Sequence, residues 1–256
     1  MIKGVLLDIS GVIYVGNHVL PGAIDALSRL RDAGLPMRFL TNTTRTPKKS
    51  ILSRLRNMRI HIADDEMFTP AEVARNWLTR HKLSPHLLIH PDLAEDFQGL
   101  AVHDAKAVLI GDAGQAFTFD ALNSAFRALM GGAEFLALAS NRTFKDFDGE
   151  LSLDAGAFVA ALEFATQRRA TILGKPSASF FSTALASMGC DAAEAVMIGD
   201  DAEMDVSGAL AAGLAFGVLV RTGKYLAGAE MSVDPKPTAV VDDLPAAVQW
   251  IMERRG

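Results

Sequence analysis

The chain is poor in cysteine and has no strong charge excess of either sign, and each shortage removes a class of function. Cys190 is the only cysteine, so an intramolecular disulfide and any cysteine-based zinc cluster are excluded. It lies in Met-Gly-Cys-Asp with no histidine nearby, which speaks against a catalytic thiol. The net charge of −5 leaves no basic face to neutralise phosphates along a nucleic acid, so no nucleic-acid partner is expected. The basic residues Arg45, Lys48, Lys49, Arg54 and Arg56 are interspersed with apolar ones at helical spacing, as on a solvated helix face. No run approaches the roughly 18 uninterrupted apolar residues of a membrane helix, and no charged-then-apolar leader precedes the first strand. A cytoplasmic protein without membrane partners is the expectation.

What is present is a core-forming composition. Half of the 256 residues are hydrophobic and 21% are charged, enough chain for one large domain or two modest ones. The pattern reads as strand, helix, strand from the outset: a strand over 2–7, an amphipathic helix over 24–33 closed by Gly34, and a strand over 37–40. This is the start of a right-handed parallel unit. Pro47 suits the first turn of a helix running to about residue 58. Thr69, Pro70 and Glu72 form a capping pattern that predicts a helix over 69–81.

The rhythm then restarts, with short strands at 87–90, 107–110 and 135–139 and helices at 119–130 and 154–166. It closes with helices at 179–188, 205–212 and 244–254 and strands at 195–198 and 216–220. The fold class expected is α/β: a doubly wound, Rossmann-like parallel-sheet core formed by 1–78 and 172–256, carrying an inserted α/β cap over 79–171.

Four strand ends carry chemistry. The apolar run Val5-Leu6-Leu7 delivers Asp8 into a turn marked by Ser10 and Gly11, where open α/β folds keep their active sites. By itself Asp8 reads first as a strand-end loop cap, and only in company with the other strand ends as a nucleophile, a metal ligand or both. Thr41-Asn42 follows the next strand with a hydroxyl and an amide suited to phosphoryl oxygens, or to capping the next helix. Lys175, fixed between Gly174 and Pro176, suits the offsetting of anionic repulsion. After the apolar 195–198 run come Gly199, Asp200, Asp201 and Asp205; such packed carboxylates call for a hard cation with oxygen ligands, and Mg²⁺ fits. Ile110-Gly111-Asp112 repeats the strand-Gly-Asp pattern without the following acids and reads as a turn of the insert.

The ordered set Asp8, Thr41, Lys175, Asp200 resembles the haloacid-dehalogenase-like phosphohydrolases, and the insert is similar to the large α/β cap of the subgroup that includes nucleotide and 4-nitrophenyl phosphatases. Segments 6–12, 87–90, 112–117 and 220–225 are in turn similar to the phospholysine phosphohistidine inorganic pyrophosphate phosphatases and their haloacid-dehalogenase-like domain-containing relatives. The resemblance implies that Asp8 is the nucleophile and a Mg²⁺ ligand, with Asp200 and the Ser10 carbonyl as further ligands. It also implies that Thr41, Asn42 and Lys175 bind phosphate, with Asp201 and Asp205 in support.

Most of these phosphatases carry an acid–base Asp where this chain has Ser10. General acid–base catalysis contributes roughly 100- to 10,000-fold, so alkyl phosphate esters should be turned over poorly. Pyrophosphate and N-phosphorylated compounds, whose leaving groups need less help, are the better match. A general phosphomonoesterase of the same fold and a weakened phosphate-binding regulator are the alternatives. Substrate choice is expected from the cap loop 141–153, with Asn141 and Phe147 its candidate contacts. The expected partner is a small phosphorylated substrate, with homodimerisation open.

Overall fold

The computed structural model describes residues 1–145 and 150–254. They form two compact α/β units. One comprises Met1–Thr41, Leu52–Phe68 and Lys175–Gly256; the other comprises Asn42–Ile51 and Thr69–Gly174. The helix Pro70–His81, grouped with the core on sequence rhythm, thus packs in the second unit. Its side chains explain why. Glu72 accepts from Lys48 Nζ at 3.0 Å, Arg75 donates to the carbonyls of Asp96 and Gln98, and Trp77 Nε1 donates to Glu134 at 2.8 Å. All of these partners belong to the second unit.

The first unit is built on a six-stranded sheet. In spatial order its strands are Ala239–Val241, Phe216–Val220, Ala195–Gly199, Gly4–Asp8, Met37–Leu40 and Met67–Phe68, all parallel. The central pair, Gly4–Asp8 and Ala195–Gly199, is buried at every position. Up to Asp8 both are unbroken apolar runs, as expected of strands covered on two faces. The chain leaves the Gly4–Asp8 strand on one side to reach Met37–Leu40 and lies beside Ala195–Gly199 on the other. Ligands bind at such switch points, at the carboxyl ends of the strands.

The second unit holds a four-stranded parallel sheet, Thr171–Ile172, Glu134–Ala137, Lys106–Ile110 and Ser84–Leu88. Val108, Ile110 and Phe135 pack against Ala125 and Leu129 of the helix Phe119–Met130 and Val159 and Leu162 of the helix Ala155–Thr166. The strand expected at 87–90 runs instead over Ser84–Leu88. It is an edge strand, so Pro85 costs no ladder hydrogen bond and the strand extends through it.

The expected 205–212 helix begins earlier, as a π-helical segment Ala202–Ser207 that continues into the helix Gly208–Ala211. The loop 141–153 contains an antiparallel pair, Thr143–Lys145 with Leu151–Leu153. Phe147 lies outside the described residues. No helix among the described residues is long and apolar enough to cross a membrane.

Candidate active site

Four charged residues meet in the first unit, at the carboxyl ends of its central strands. Asp8 ends the strand Gly4–Asp8, and Asp200 follows the strand Ala195–Gly199 directly. Asp205 lies one π-turn further on, in the segment Ala202–Ser207, and Lys175 comes from the stretch that re-enters the unit. All four are almost wholly buried. Gly199 permits the approach: a Cβ there would stand 2.2 Å from Asp205 Cβ.

Lys175 Nζ donates to Asp8 Oδ1 in a short contact and to Asp205 Oδ1 at 2.6 Å. The Asp201 N–H donates to Asp205 Oδ2 at 3.2 Å, so Asp205 is held at both oxygens and in turn orients the lysine. Asp201 itself caps the π-helical segment, accepting from the backbone N–H groups of Glu203 and Met204.

Sequence reasoning missed the residues that hold Asp200. The loop after the strand Phe216–Val220 returns beneath it, and the Lys224 N–H donates to Asp200 Oδ2 at 2.7 Å. Thr222 Oγ1 donates to the Gly11 carbonyl, stitching this loop to the one after Asp8. At the crossing, Gly11 and Gly223 have φ of +94° and +58°, and a Cβ on either would stand 1.9 Å from Asp200 Oδ2. Only glycine fits both the backbone and the space. The signal was the Thr-Gly-Lys run after an apolar strand, which periodicity alone does not mark as part of a site.

The other candidates are placed as follows. Thr41 is buried past the end of the strand Met37–Leu40 and donates its N–H to the Phe68 carbonyl at 3.2 Å. Ser10 is exposed in the turn that follows Asp8, bridged to Tyr14. Asn42 and Asn141 belong to the second unit, where the Asn141 carbonyl accepts from the Gly156 N–H at 3.0 Å. Asp112, read as a plain turn residue, is a buried carboxylate that accepts from Arg45 Nε at 2.5 Å.

The electrostatics are those of too many acids for one base. Burial pushes Asp8 well above the usual carboxylate range; Lys175 opposes that push, while Asp205 and Asp200 add to it. Burial and the Asp205 charge raise Asp200 to about 7, against the Lys224 N–H, which favours the anion. Burial disfavours a charged Lys175, but the flanking Asp205 and Asp8 more than offset it and hold the ammonium protonated.

A divalent cation fits this donor set. Asp8, Asp200 and Asp205 each offer an oxygen, all within 4.8 Å of one another. Asp8 Oδ2 and Asp200 Oδ1 meet no hydrogen-bond donor among the described residues. Hard oxygen donors with excess negative charge match Mg²⁺ chemistry.

Comparison with known proteins agrees with this geometry. Two family models match in chain order: a haloacid dehalogenase-like hydrolase model over residues 5–120 and a HAD-hydrolase-like model over 172–247. Human haloacid dehalogenase-like hydrolase domain-containing protein 2 is 43% identical over 252 residues, covering 98% of this chain and 96% of that protein. The chain belongs to the haloacid dehalogenase-like hydrolases. Among other members, the phospholysine phosphohistidine inorganic pyrophosphate phosphatase of Danio rerio is 40% identical, covering 99% of this chain and 96% of its own length. The p-nitrophenyl phosphatase from Archaeoglobus fulgidus is similar in structure, with a TM-score of 0.88 at 25% identity over 97% of this chain and 98% of that one. As a member of this hydrolase family the chain is an enzyme, and its α/β architecture is that of the family's phosphatases.

Proposed function

We propose that this hydrolase is a Mg²⁺-dependent phosphohydrolase working through an aspartyl-phosphate, with pyrophosphate or N-phosphorylated compounds as substrates. The observation that carries the reading is the buried Asp8–Lys175–Asp205 array beside Asp200. An acid with one oxygen fixed by an ammonium keeps its other oxygen for attack. Asp8 attacks phosphorus, the leaving group departs, and water then cleaves the acyl phosphate to return Asp8 and release phosphate. Lys175 stays protonated between its two carboxylates, and with Thr41 and Asn42 it binds the phosphoryl oxygens. Asp8, Asp200 and the Ser10 carbonyl would hold Mg²⁺, which when bound neutralises charge on the phosphoryl group. Asp205 fixes Lys175, and Asp201 fixes the segment that carries Asp205.

Substrate class follows from Ser10. Its hydroxyl has no accessible proton at neutral pH, so the leaving group departs without general-acid help from this position. Phosphate and imidazole leave more readily than an alkoxide. The similarity to a relative named for phospholysine, phosphohistidine and pyrophosphate points the same way. The test is a panel of pyrophosphate, a phosphoramidate and alkyl phosphates, each with Mg²⁺ and with chelator. Turnover should require the metal and favour the first two. Full activity in protein shown to be metal-free by elemental analysis, or a preference for alkyl esters, refutes the respective half of the proposal.

A further inference from the structure

The hairpin that follows Asp8 carries a hydroxyl for which the reading above has no use. Tyr14 opens the antiparallel pair Tyr14–Val15 with His18–Val19, in the same unit as Asp8. Its backbone folds back on the turn after the nucleophile: the Tyr14 carbonyl accepts from the Gly11 N–H at 2.7 Å, and Tyr14 bridges Ser10. The residue is 7% exposed, yet its Oη meets no hydrogen-bond partner among the described residues. No fully buried polar side-chain atom among those residues is unpaired, so the ring is enclosed while the hydroxyl at its tip opens to solvent. A buried tyrosine ordinarily has its hydroxyl paired within the protein.

Arg54, of the same unit, fixes this ring. Its guanidinium stands over it, 5.3 Å from the centroid. Its Nη2 donates to the Gly16 carbonyl in a short contact and to Asn17 Oδ1 at 2.9 Å, gripping the tip of the hairpin that carries Tyr14. The hydroxyl stays protonated: burial disfavours the phenolate, Arg54 opposes that effect, and the Asp8 charge adds to it. A neutral donor therefore lies within the field of the nucleophile.

We propose that Tyr14 is a further catalytic residue of the Asp8 site, its hydroxyl donating a hydrogen bond to the leaving-group oxygen of the substrate, and that Arg54 is the positioning residue that holds its ring. The phosphoryl oxygens already have Lys175, whereas Ser10 offers the leaving oxygen no proton, and the bridge to Ser10 puts Tyr14 beside that position. No proton is transferred: the donor stabilises the oxyanion that forms as the P–O bond breaks, and water supplies the proton afterwards. This rests on the phosphohydrolase reading and adds a residue to it.

The test is a series of aryl phosphates whose leaving groups run from 4-nitrophenol to phenol, assayed with Mg²⁺. In Tyr14→Phe, kcat/KM should fall about 10- to 100-fold on phenyl phosphate, the value of one hydrogen bond to a developing anion, and by a smaller factor on 4-nitrophenyl phosphate. Inhibition by inorganic phosphate, which has no leaving group, should be unchanged. The melting temperature should not fall, because the substitution removes a hydroxyl that no described residue holds. Arg54→Met should reproduce the leaving-group dependence in weaker form, and Arg54→Lys, which keeps a cation on the ring, should recover part of the loss. In the Tyr14→Phe background, Arg54→Met should add no further dependence on the leaving group.

A Tyr14→Phe loss that is equal along the series, or absent, overturns the assignment and leaves the phosphohydrolase reading intact. So does phosphate inhibition weakened as much as the rate, which puts the hydroxyl on the phosphoryl group, or a lower melting temperature, which gives it a structural role. A wild-type enzyme that cleaves pyrophosphate but no aryl phosphate lacks the proposed help and overturns the assignment alone. One that cleaves none of these substrates with Mg²⁺ overturns both.

Discussion

Substituting Gly223 by alanine should disable the enzyme through a residue that does no chemistry. At φ +58° an alanine costs about 1–2 kcal/mol more than glycine. Its Cβ would stand 1.9 Å from Asp200 Oδ2 and 2.5 Å from Gly11 Cα, and real contacts essentially never fall below 3.0 Å. The carboxylate must therefore retreat by about 1 Å, and it is pinned from the same loop by the Lys224 N–H. Gly11 Cα is backbone and yields only if the loop after Asp8 moves. Overpacking of this kind costs about 1–3 kcal/mol, so the sum is about 2–5 kcal/mol.

The catalytic effect should exceed the structural one. A displacement of about 1 Å in a positioned group costs on the order of 100-fold in rate. Steady-state kinetics against Mg²⁺ concentration should show kcat/KM down by about that factor and a higher Mg²⁺ requirement. Gly228→Ala is the control: its φ of +85° imposes similar backbone strain, but nothing lies within 4 Å of the new Cβ. That variant should lose stability in a thermal melt while keeping wild-type Mg²⁺ dependence. Wild-type kinetics in Gly223→Ala, or an equal activity loss in Gly228→Ala, would refute the claim that the glycine pair exists to seat Asp200.

Asp8→Asn should reduce turnover by at least about 1,000-fold without unfolding the protein, since the amide is a poor nucleophile; a folded variant retaining substantial rate would dismiss the covalent route. Metal-free protein should lose stability as pH rises from about 4 to 7, because folded Asp200, raised to about 7, holds a proton that the unfolded chain, near 3.8, has released. The effect is on the order of 4 kcal/mol, so the drop in melting temperature between pH 5 and 8 should be smaller in Asp200→Asn, and equal drops would count against the shift. Ser10→Asp should raise kcat/KM for alkyl phosphates relative to pyrophosphate by up to about 100-fold, provided Mg²⁺ affinity is retained; an unchanged ratio would show that Ser10 does not set substrate class.

Much of the fold was legible because its longer elements obey strong local rules. The fully buried strand Gly4–Asp8 reads as an apolar run, and the helix Pro70–His81 announces itself through the Thr69 side chain, which accepts from the Glu72 N–H, and through Pro70. The elements that escaped are too short to show a period: the two-residue strands Tyr14–Val15, His18–Val19 and Met67–Phe68, and the three-residue edge strand Ala239–Val241. Their backbone is extended because partners pair with it, and pairing is not a local property.

The same division holds at the site. The sequence alone determined which acids, hydroxyls and lysine stand at strand ends, since Asp8, Thr41, Lys175 and Asp200 each follow an apolar run. Tertiary structure decided what each one touches. It put Asp205 rather than Asp201 on Lys175 because a π-helical turn carries the later residue inward while the earlier one caps the segment. It brought Gly223 and Lys224 beneath Asp200 although they lie more than twenty residues further along the chain. It also turned Asp112 from a loop feature into the buried anchor of Arg45, 67 residues away. Strand-end chemistry is written in nearest neighbours, whereas the burial and pairing of charge are settled only when distant segments close around it.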